Sequence, residues 1–498
     1  MVLLLVLLFL LPFTLIFIYY YNFPATSQPP GPPGLPIIGN LHQFQSAELH
    51  VFLWKLSKKY GSLMRMKLGY REAVVISSAT MAKEALKTQD LAFSSRPSFI
   101  GQQRLSYSGL DIACSPYNDY WREMKKISVL HLFSLRRVKQ FQPIREDEVS
   151  QMINRISKLA ISYQQVNLSE IMMSLTSNII CRSAFGLRYD EEGQEKRRFH
   201  KLLNEAQAML VGGSLLADFF PLFGWIDKLT GKLARLERAF KGLDSFYQEL
   251  IDKHLHPNRP NSMNGDIIDI LLGLMEENSS LVNLTWDHIK AVLMNVFVGG
   301  TDTSAVVIIW AMTALMKDPR VMNKVQKEIR ELIGEKAGKV YEDDIKQLPY
   351  FRAVIKETLR LYTPIPLLVT REIISKCTID EYEIKPKMIV VINAWAIARD
   401  PEYWKAPEEF YPERFLDCNI DYKGQNFELI PFGAGRRMCP GMALGLVVAE
   451  LALANLLYAF DWELPSWMKK EDIDTESLPG LAMHKKNHLC LFAKSAQV

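Results

Sequence analysis

With 498 residues, 48% of them hydrophobic and 23% charged, the chain is neither disordered nor wholly membrane-embedded, and it is long enough to enclose a cofactor and a substrate in one core. A formal net charge of +4 is too small for this length to support a nucleic-acid partner, which needs a dense basic stripe. Six cysteines, at 114, 181, 377, 418, 439 and 490, lie far apart without CxxC or Cys/His metal spacing, which argues against a disulfide framework and a zinc site.

Val2–Tyr21 carries no charge and is dominated by Leu, Phe, Val and Ile. A helix of this length rises about 30 Å, enough to cross the hydrocarbon core. The run lacks the basic start and small-residue cleavage site of a signal peptide, so residues 1–21 are expected to form a transmembrane anchor. No Lys or Arg stands between Tyr21 and Lys55, so charge alone leaves the orientation open. Residues 22–40, with PPGPPGLPIIGN from Pro29, read as a proline-rich hinge, a semi-rigid spacer ahead of a catalytic domain over 41–498.

Met64–Leu68 alternates with period two, and Gly69-Tyr70-Arg71-Glu72 turns the chain into Ala73–Ile76, predicting a strand pair with one buried face. The pairs Lys125–Lys126, Arg136–Arg137 and Arg436–Arg437 are either solvated faces or suit an acidic protein partner. The longest helical pattern starts at Thr285 as N-cap and runs to about Lys317. Inside it stands Gly299-Gly300-Thr301-Asp302-Thr303-Ser304. Two helix-interior glycines cost about 1 kcal/mol each relative to alanine. They mark either a break with a new cap, or a groove where backbone clears a bulky flat ligand. A second strand region is expected over about Thr378–Asn393, turning at Asp380-Glu381.

The segment Pro431 to Gly441 reads PFGAGRRMCPG and precedes an apolar helix over Ala443–Tyr458. Loop N–H groups, a helix N-terminus and guanidinium groups around Cys439 favour thiolate, the form in which sulfur ligates a soft metal. The plain alternative is an inert buried cysteine.

Phe432, Gly435, Arg437, Cys439 and Gly441 together fit F-x-x-G-x-R-x-C-x-G, and the chain thereby resembles the cytochrome P450 family. Glu357-Thr358-Leu359-Arg360 is similar to that family's E-x-x-R helix, Pro412-Glu413-Arg414-Phe415 to its P-E-R-F box, and Gly299–Ser304 to its oxygen-binding groove. The proline hinge, the anchor and Asp218-Phe219-Phe220-Pro221 look like the microsomal plant enzymes of specialised metabolism.

The resemblance implies a mainly α fold with a smaller β region, preceded by a single N-terminal transmembrane helix. It implies haem b between the long helix and the Cys439 loop, with Cys439 as the metal ligand. Trp121, Lys125, Arg371 and Arg437 match the propionate contacts, and Phe432 belongs to the same cofactor-binding set. Asp302 and Thr303 match the acid–alcohol pair that delivers protons, and Glu357, Arg360 and Arg414 the buried network that holds the haem loop. The activity implied is monooxygenation of a small lipophilic metabolite, whether terpenoid, phenylpropanoid or amino-acid-derived. Electrons would come from NADPH through a separate NADPH–cytochrome P450 reductase, since the chain has no dinucleotide-binding fingerprint of its own. The implied location is the endoplasmic reticulum membrane, single-pass, with the catalytic domain cytosolic. An apolar substrate pocket is expected from Leu110 and Ile112 in the loop Gly101–Pro116, from Phe297, from Ile365, Leu367 and Val369, and from Leu481.

Three positions depart from the family pattern: Gly299 where Ala is usual, Lys125 where Arg is common, and Thr370 for a frequent Pro before Arg371. An isomerase or dehydratase needing no dioxygen, and a non-enzymatic membrane haem protein, are the rival readings. The Asp302–Thr303 pair argues against the first, and the assembled groove, relay and ligand loop against the second.

Overall fold

The long helical pattern folds as one unbroken helix. The computed structural model describes residues 28–45, 48–189, 193–261, 265–277, 281–334 and 338–496, and the expected anchor over 1–21 lies outside them. The helices that build the core are α1 (Asp119–Ile127), α2 (Gln142–Ile161), α3 (Leu168–Phe185), α4 (Gln194–Leu210), α5 (Lys232–Leu255), α6 (Trp286–Lys317), α7 (Pro319–Ile333), α8 (Pro349–Leu361) and α9 (Met442–Ala459). Thr285 caps α6, and its backbone N–H donates to His288 Nδ1 at 3.2 Å.

The two glycines of α6 do different work, which explains why the helix survives them. A Cβ on Gly300 would stand 2.5 Å from Ile180 Cδ1, so this residue lets α6 approach α3 closely. A Cβ on Gly299 would meet nothing within 4 Å, because this residue faces open space. Tertiary packing thus outweighs the propensity cost of about 1 kcal/mol at each, and the break reading fails. Helices α6 and α9 are long and apolar enough to cross a membrane, but most of each is buried in the protein core. There α2, α3, α5, α6, α7, α8 and α9 share a single apolar cluster.

The described strands form three separate sheets. Strands β1 (Leu63–Leu68) and β2 (Arg71–Ile76) form a hairpin in which Leu68 pairs with Arg71, so the turn is Gly69-Tyr70 and the expected turn residues Arg71 and Glu72 belong to β2. Short β3 (Val166–Asn167) lies elsewhere, and β4 (Arg371–Glu372), β5 (Cys377–Ile379), β6 (Tyr382–Ile384) and β7 (Ile389–Ile392) follow. The hairpin of β5 and β6 turns at Asp380-Glu381, as the sequence predicts, while β7 leaves it to pair in parallel with β2 and antiparallel with β4. Residues 73–76 are therefore buried on both faces rather than one, each with 0% exposure. Strands β8 (Phe460–Glu463) and β9 (Cys490–Ser495) pair with each other, and β9 also with β3.

The proline-rich segment is less of a spacer than its composition suggests. Arg65 N donates to Pro30 O at 2.8 Å, and Lys67 N to Asn40 Oδ1 at 2.9 Å. Asn40 Nδ2 in turn donates to Pro33 O at 3.2 Å. A Cβ on Gly31 would sit 1.9 Å from Arg65 O, so only glycine permits this approach. Residues 30–40 thus dock along the free edge of β1, satisfying groups that an edge strand leaves unpaired.

Candidate active site

Helix α6 is tied to the first turn of α9, just after the Cys439 loop, where Ser304 Oγ donates to Gly445 O at 3.4 Å. Along α6 almost every residue near this contact is buried, but Gly299 is exposed and Thr303 partly so. They lie four residues apart, hence on one helix face, and that face borders open space at Gly299. Thr303 Oγ1 donates to Gly299 O at 2.8 Å, which fixes its rotamer and leaves its lone pairs toward the open side.

Cys439 stands on the loop side, six residues before Gly445. It is the one exposed cysteine of the six, although protein surrounds it closely enough for burial to push its thiol above the usual range. A side chain that opens on an interior cleft reconciles the two. The N–H groups of Gly441 and Met442 and the Lys125 ammonium oppose that upward push. The loop does favour thiolate as expected, but burial outweighs it in the protein alone. A bound metal ion would reverse that balance by stabilising the deprotonated thiol.

The loop is held rigidly. Cys439 N donates to Phe432 O at 3.0 Å, and a 3₁₀ turn spans Gly435–Arg437. Gly435 has φ +69°, and a Cβ there would lie 2.3 Å from Leu86 O and 2.6 Å from Asp90 Oδ1. Phe432 is half-buried, its ring 5.9 Å from Tyr422.

Beside the loop sits a buried cationic cluster. Arg371 donates to Phe93 O at 3.2 Å and Ala434 O at 3.0 Å. Arg437 donates to Ser94 O and Ser115 O, both at 2.7 Å, and stacks 3.9 Å from the Trp121 ring centroid. Trp121 Nε1 donates to Ile112 O at 2.9 Å. Lys125 lies 5.3 Å over the same ring, its ammonium on Arg436 O. The sequence reading missed a fourth member, Arg96, which is buried and bonds the carbonyls of Ala113 and Thr370 at 2.9 and 2.8 Å, and that of Val369. Its only sequence signal is an Arg-Pro pair within no quoted motif. Of the basic pairs singled out as partner surfaces, Arg437 is therefore interior, and Arg436 is tied to Asp90 at 3.0 Å.

The cluster is under-compensated. Burial, followed by Arg96 and Arg371, pulls Arg437 down to about 8; burial and then Arg96 pull Arg371 down to about 9. Burial likewise lowers Lys125 to about 8 and Arg96 to about 10. Against these four cations stand Asp90 and Asp111, and burial pushes the Asp111 carboxyl itself upward. Such a site calls for an anionic ligand. A dicarboxylate on a flat group reaching over Cys439 fits it, so the residues present match haem b.

The remaining expected residues divide. Glu357 and Arg360, both fully buried, form a two-pronged pair at 2.8 and 2.9 Å, and Arg414 Nε reaches Glu357 Oε1 at 3.1 Å. Arg360 also donates to the carbonyls of Ala398, Pro407 and Glu409, tying α8 to the strand-to-loop crossover. Leu110, Ile365, Leu367, Val369 and Leu481 are partly exposed, while Ile112 is buried and its N–H bonds Asn295 Oδ1 at 2.9 Å. Leu367 packs toward the sheet with Phe99, Phe219 and Phe220. Phe297 is a correction. It is 0% exposed and packs 4.5 Å from Phe199, 6.0 Å from Phe246 and 6.2 Å from Tyr247 (ring centroids), so it is core and lines no pocket. Asp302 is buried, its Oδ2 accepts from Gln207 Nε2, and His484 Nε2 lies 3.0 Å from the same oxygen. Neither partner was visible in the sequence.

A glycine-rich cysteine loop leading into the helix tied to α6, beside unbalanced buried cations, suits a haem-binding protein. The cytochrome P450 family model matches residues 29–492, and the chain belongs to that family. It is 54% identical over 488 residues to the 6,7,8-trihydroxycoumarin synthase of Pastinaca sativa, covering 96% of this chain and 95% of that one. It is 51% identical to the 5-OH-xanthotoxin synthase of Ammi majus, covering 97% and 96%. With cytochrome P450 71B37 of Arabidopsis thaliana it shares 50% identity, covering 93% and 92%. A zebrafish cytochrome P450 solved with abiraterone superposes with a TM-score of 0.74 at 22% identity, over 90% of this chain and all of that one, which gives the fold. The protein is a cytochrome P450 monooxygenase.

Proposed function

We propose that this enzyme inserts one oxygen atom from O2 into a coumarin-type aromatic, a phenylpropanoid-derived substrate, using NADPH electrons passed through a separate reductase. The observation that carries the substrate class is the 54% and 51% identity, over nearly the whole chain, to relatives named for trihydroxycoumarin and hydroxyxanthotoxin synthesis. A haem b ligated by Cys439 would supply dioxygen activation, the thiolate favouring O–O cleavage. Arg96, Lys125, Arg371 and Arg437 would hold its propionates, and Trp121 would orient Arg437. Glu357, Arg360 and Arg414 keep the crossover that leads into the loop in place. Leu110, Ile365, Val369 and Leu481, partly exposed and apolar, would form walls suited to a flat aromatic.

Thr303, on the open face of α6, and the buried Asp302 next to it would handle protons. Thr303→Val removes the hydroxyl at almost constant volume. The variant should keep its haem and its thiolate-type spectrum, but divert NADPH from product to hydrogen peroxide. Product and peroxide per NADPH check this, and unchanged coupling would remove Thr303 from the relay.

Membrane attachment is supported by the surface as well as by residues 1–21. Leu222, Phe223, Trp225 and Leu229 are exposed, as are Leu35, Ile37 and Tyr70. Tyr70 N bonds Phe219 O at 3.0 Å, so the two apolar segments adjoin and would dip together into a bilayer interface. This fits an endoplasmic reticulum anchor with the catalytic domain cytosolic. Exposed Lys126, next to the Lys125 that bonds Arg436 O of the Cys439 loop, suits an acidic reductase surface. Substrate-induced Soret shifts with hydroxycoumarins, furanocoumarins, monoterpenes and aldoximes test the class. The coumarins should bind most tightly, and tighter binding of a terpene or aldoxime would overturn it.

A further inference from the structure

Asp302 is 2% exposed, yet only one of its carboxylate oxygens is satisfied. Oδ2 accepts from Gln207 on α4 and has His484 Nε2 3.0 Å away, while Oδ1 is buried without a hydrogen-bond partner among the described residues. An orphaned buried carboxylate oxygen is costly, and its retention beside Thr303 marks an atom kept free to take or give a proton. Of the two groups on Oδ2, the Gln207 amide cannot carry a proton. His484 can, and its side chain is 28% exposed.

The turn that carries His484 is braced. Leu478 N donates to His484 O at 2.8 Å, and Met483 N to Pro364 O at 2.8 Å. Trp310 Nε1, from α6 itself, donates to Met483 O at 2.7 Å. Lys485 is held by Asp474 at 2.8 Å and Lys486 by Glu476, so neither needs His484 or Asp302 for a counter-charge. The braced turn therefore holds His484 with Nε2 3.0 Å from Asp302 Oδ2 and the side chain 28% exposed.

We propose that His484 is the solvent-side entry of the Asp302 proton path. The imidazole takes a proton from water at Nδ1 and releases one from Nε2 to Asp302 Oδ2. The carboxyl, with Oδ1 free, then passes a proton toward the Thr303 hydroxyl and the cleft. After each transfer the imidazole carries its proton on Nδ1, and a flip of the ring presents an N–H to Asp302 again, the protons coming from solvent. Gln207 is the positioning residue that holds Oδ2 while the imidazole changes state. The inference rests on the proposed role of Asp302 in proton delivery.

His484→Gln keeps an N–H donor for Oδ2 but cannot relay, and His484→Ala loses both. Reductase-driven product formation should fall about 10²-fold in both variants, the low end of what positioned proton transfer contributes. The missing NADPH should appear as peroxide. The thiolate-type carbonyl spectrum should be retained in both variants. Melting temperatures of His484→Gln, Asp302→Asn and the double variant should be non-additive, as for residues in contact. Wild-type coupling in His484→Gln would overturn the relay, since a merely structural histidine is replaced by that amide. Additive melting shifts would overturn the contact. Asp302→Asn serves as the separate control: if it retains full coupling, the role of Asp302 itself fails, whereas loss there with an intact His484→Gln sinks only the inference.

Discussion

Cys439→Ala should abolish the thiolate-type carbonyl spectrum of the reduced protein and reduce turnover to background. Cys439 is the one cysteine exposed on the cleft, and alanine leaves no soft donor there. The loop should survive the change, because Cys439 holds it through a backbone N–H to Phe432 O rather than through sulfur. The other cysteines supply the contrast. Cys114 and Cys181 are buried, and burial drives the Cys114 thiol well above its usual range, where it is a poor ligand. Alanine at 114, 181, 377, 418 or 490 should leave the spectrum intact. Survival of the spectrum in Cys439→Ala, or its loss in one of the others, contradicts the ligand assignment.

Arg360→Leu should cost the largest share of stability of any single change away from the cleft. The side chain is fully buried and bonds both oxygens of Glu357 and three backbone carbonyls. Its removal leaves Glu357 charged and buried with only Arg414 and Tyr411 N beside it. Breaking such a pair from one side costs about 3–5 kcal/mol, a large part of the roughly 5–15 kcal/mol that holds a domain folded. The surface pair of Lys376 and Glu383 sets the scale for comparison. Lys376→Ala should cost below about 1 kcal/mol. Denaturant unfolding, followed by loss of the Soret band, measures both. A loss in Arg360→Leu no larger than in Lys376→Ala would mean that this network does not brace the loop.

What the sequence revealed was whatever is local in chain. The capped start of α6, the i,i+3 pair of Glu357 and Arg360, the hairpin turn at Asp380-Glu381 and the glycine-rich Cys439 loop all lie within a few residues of their own signals. What it hid depends on distant chain. The burial of Ala73–Ile76 on both faces needs β7, more than 300 residues on, to pair in parallel with β2. Gly300 reads as a helix breaker until Ile180 of α3 is placed against it. Phe297 carries the same apolar label whether it faces a cleft or three other aromatics, and periodicity does not separate these. Arg96 looked like any Arg-Pro pair, and its role appears only once Arg371 and Arg437 share its interior. The partners of Asp302 come from α4 and from the C-terminal turn, so a lone acidic residue beside Thr303 was all the sequence displayed.

The central claim is monooxygenation of a coumarin-type aromatic at the Cys439 cleft. The most direct test is turnover under ¹⁸O2, with the purified full-length protein, a plant reductase, NADPH and a hydroxycoumarin or furanocoumarin. The account predicts a product heavier by one labelled oxygen atom per molecule, dependent on both NADPH and the reductase. Product that carries unlabelled oxygen from water, or that forms without dioxygen, would contradict it.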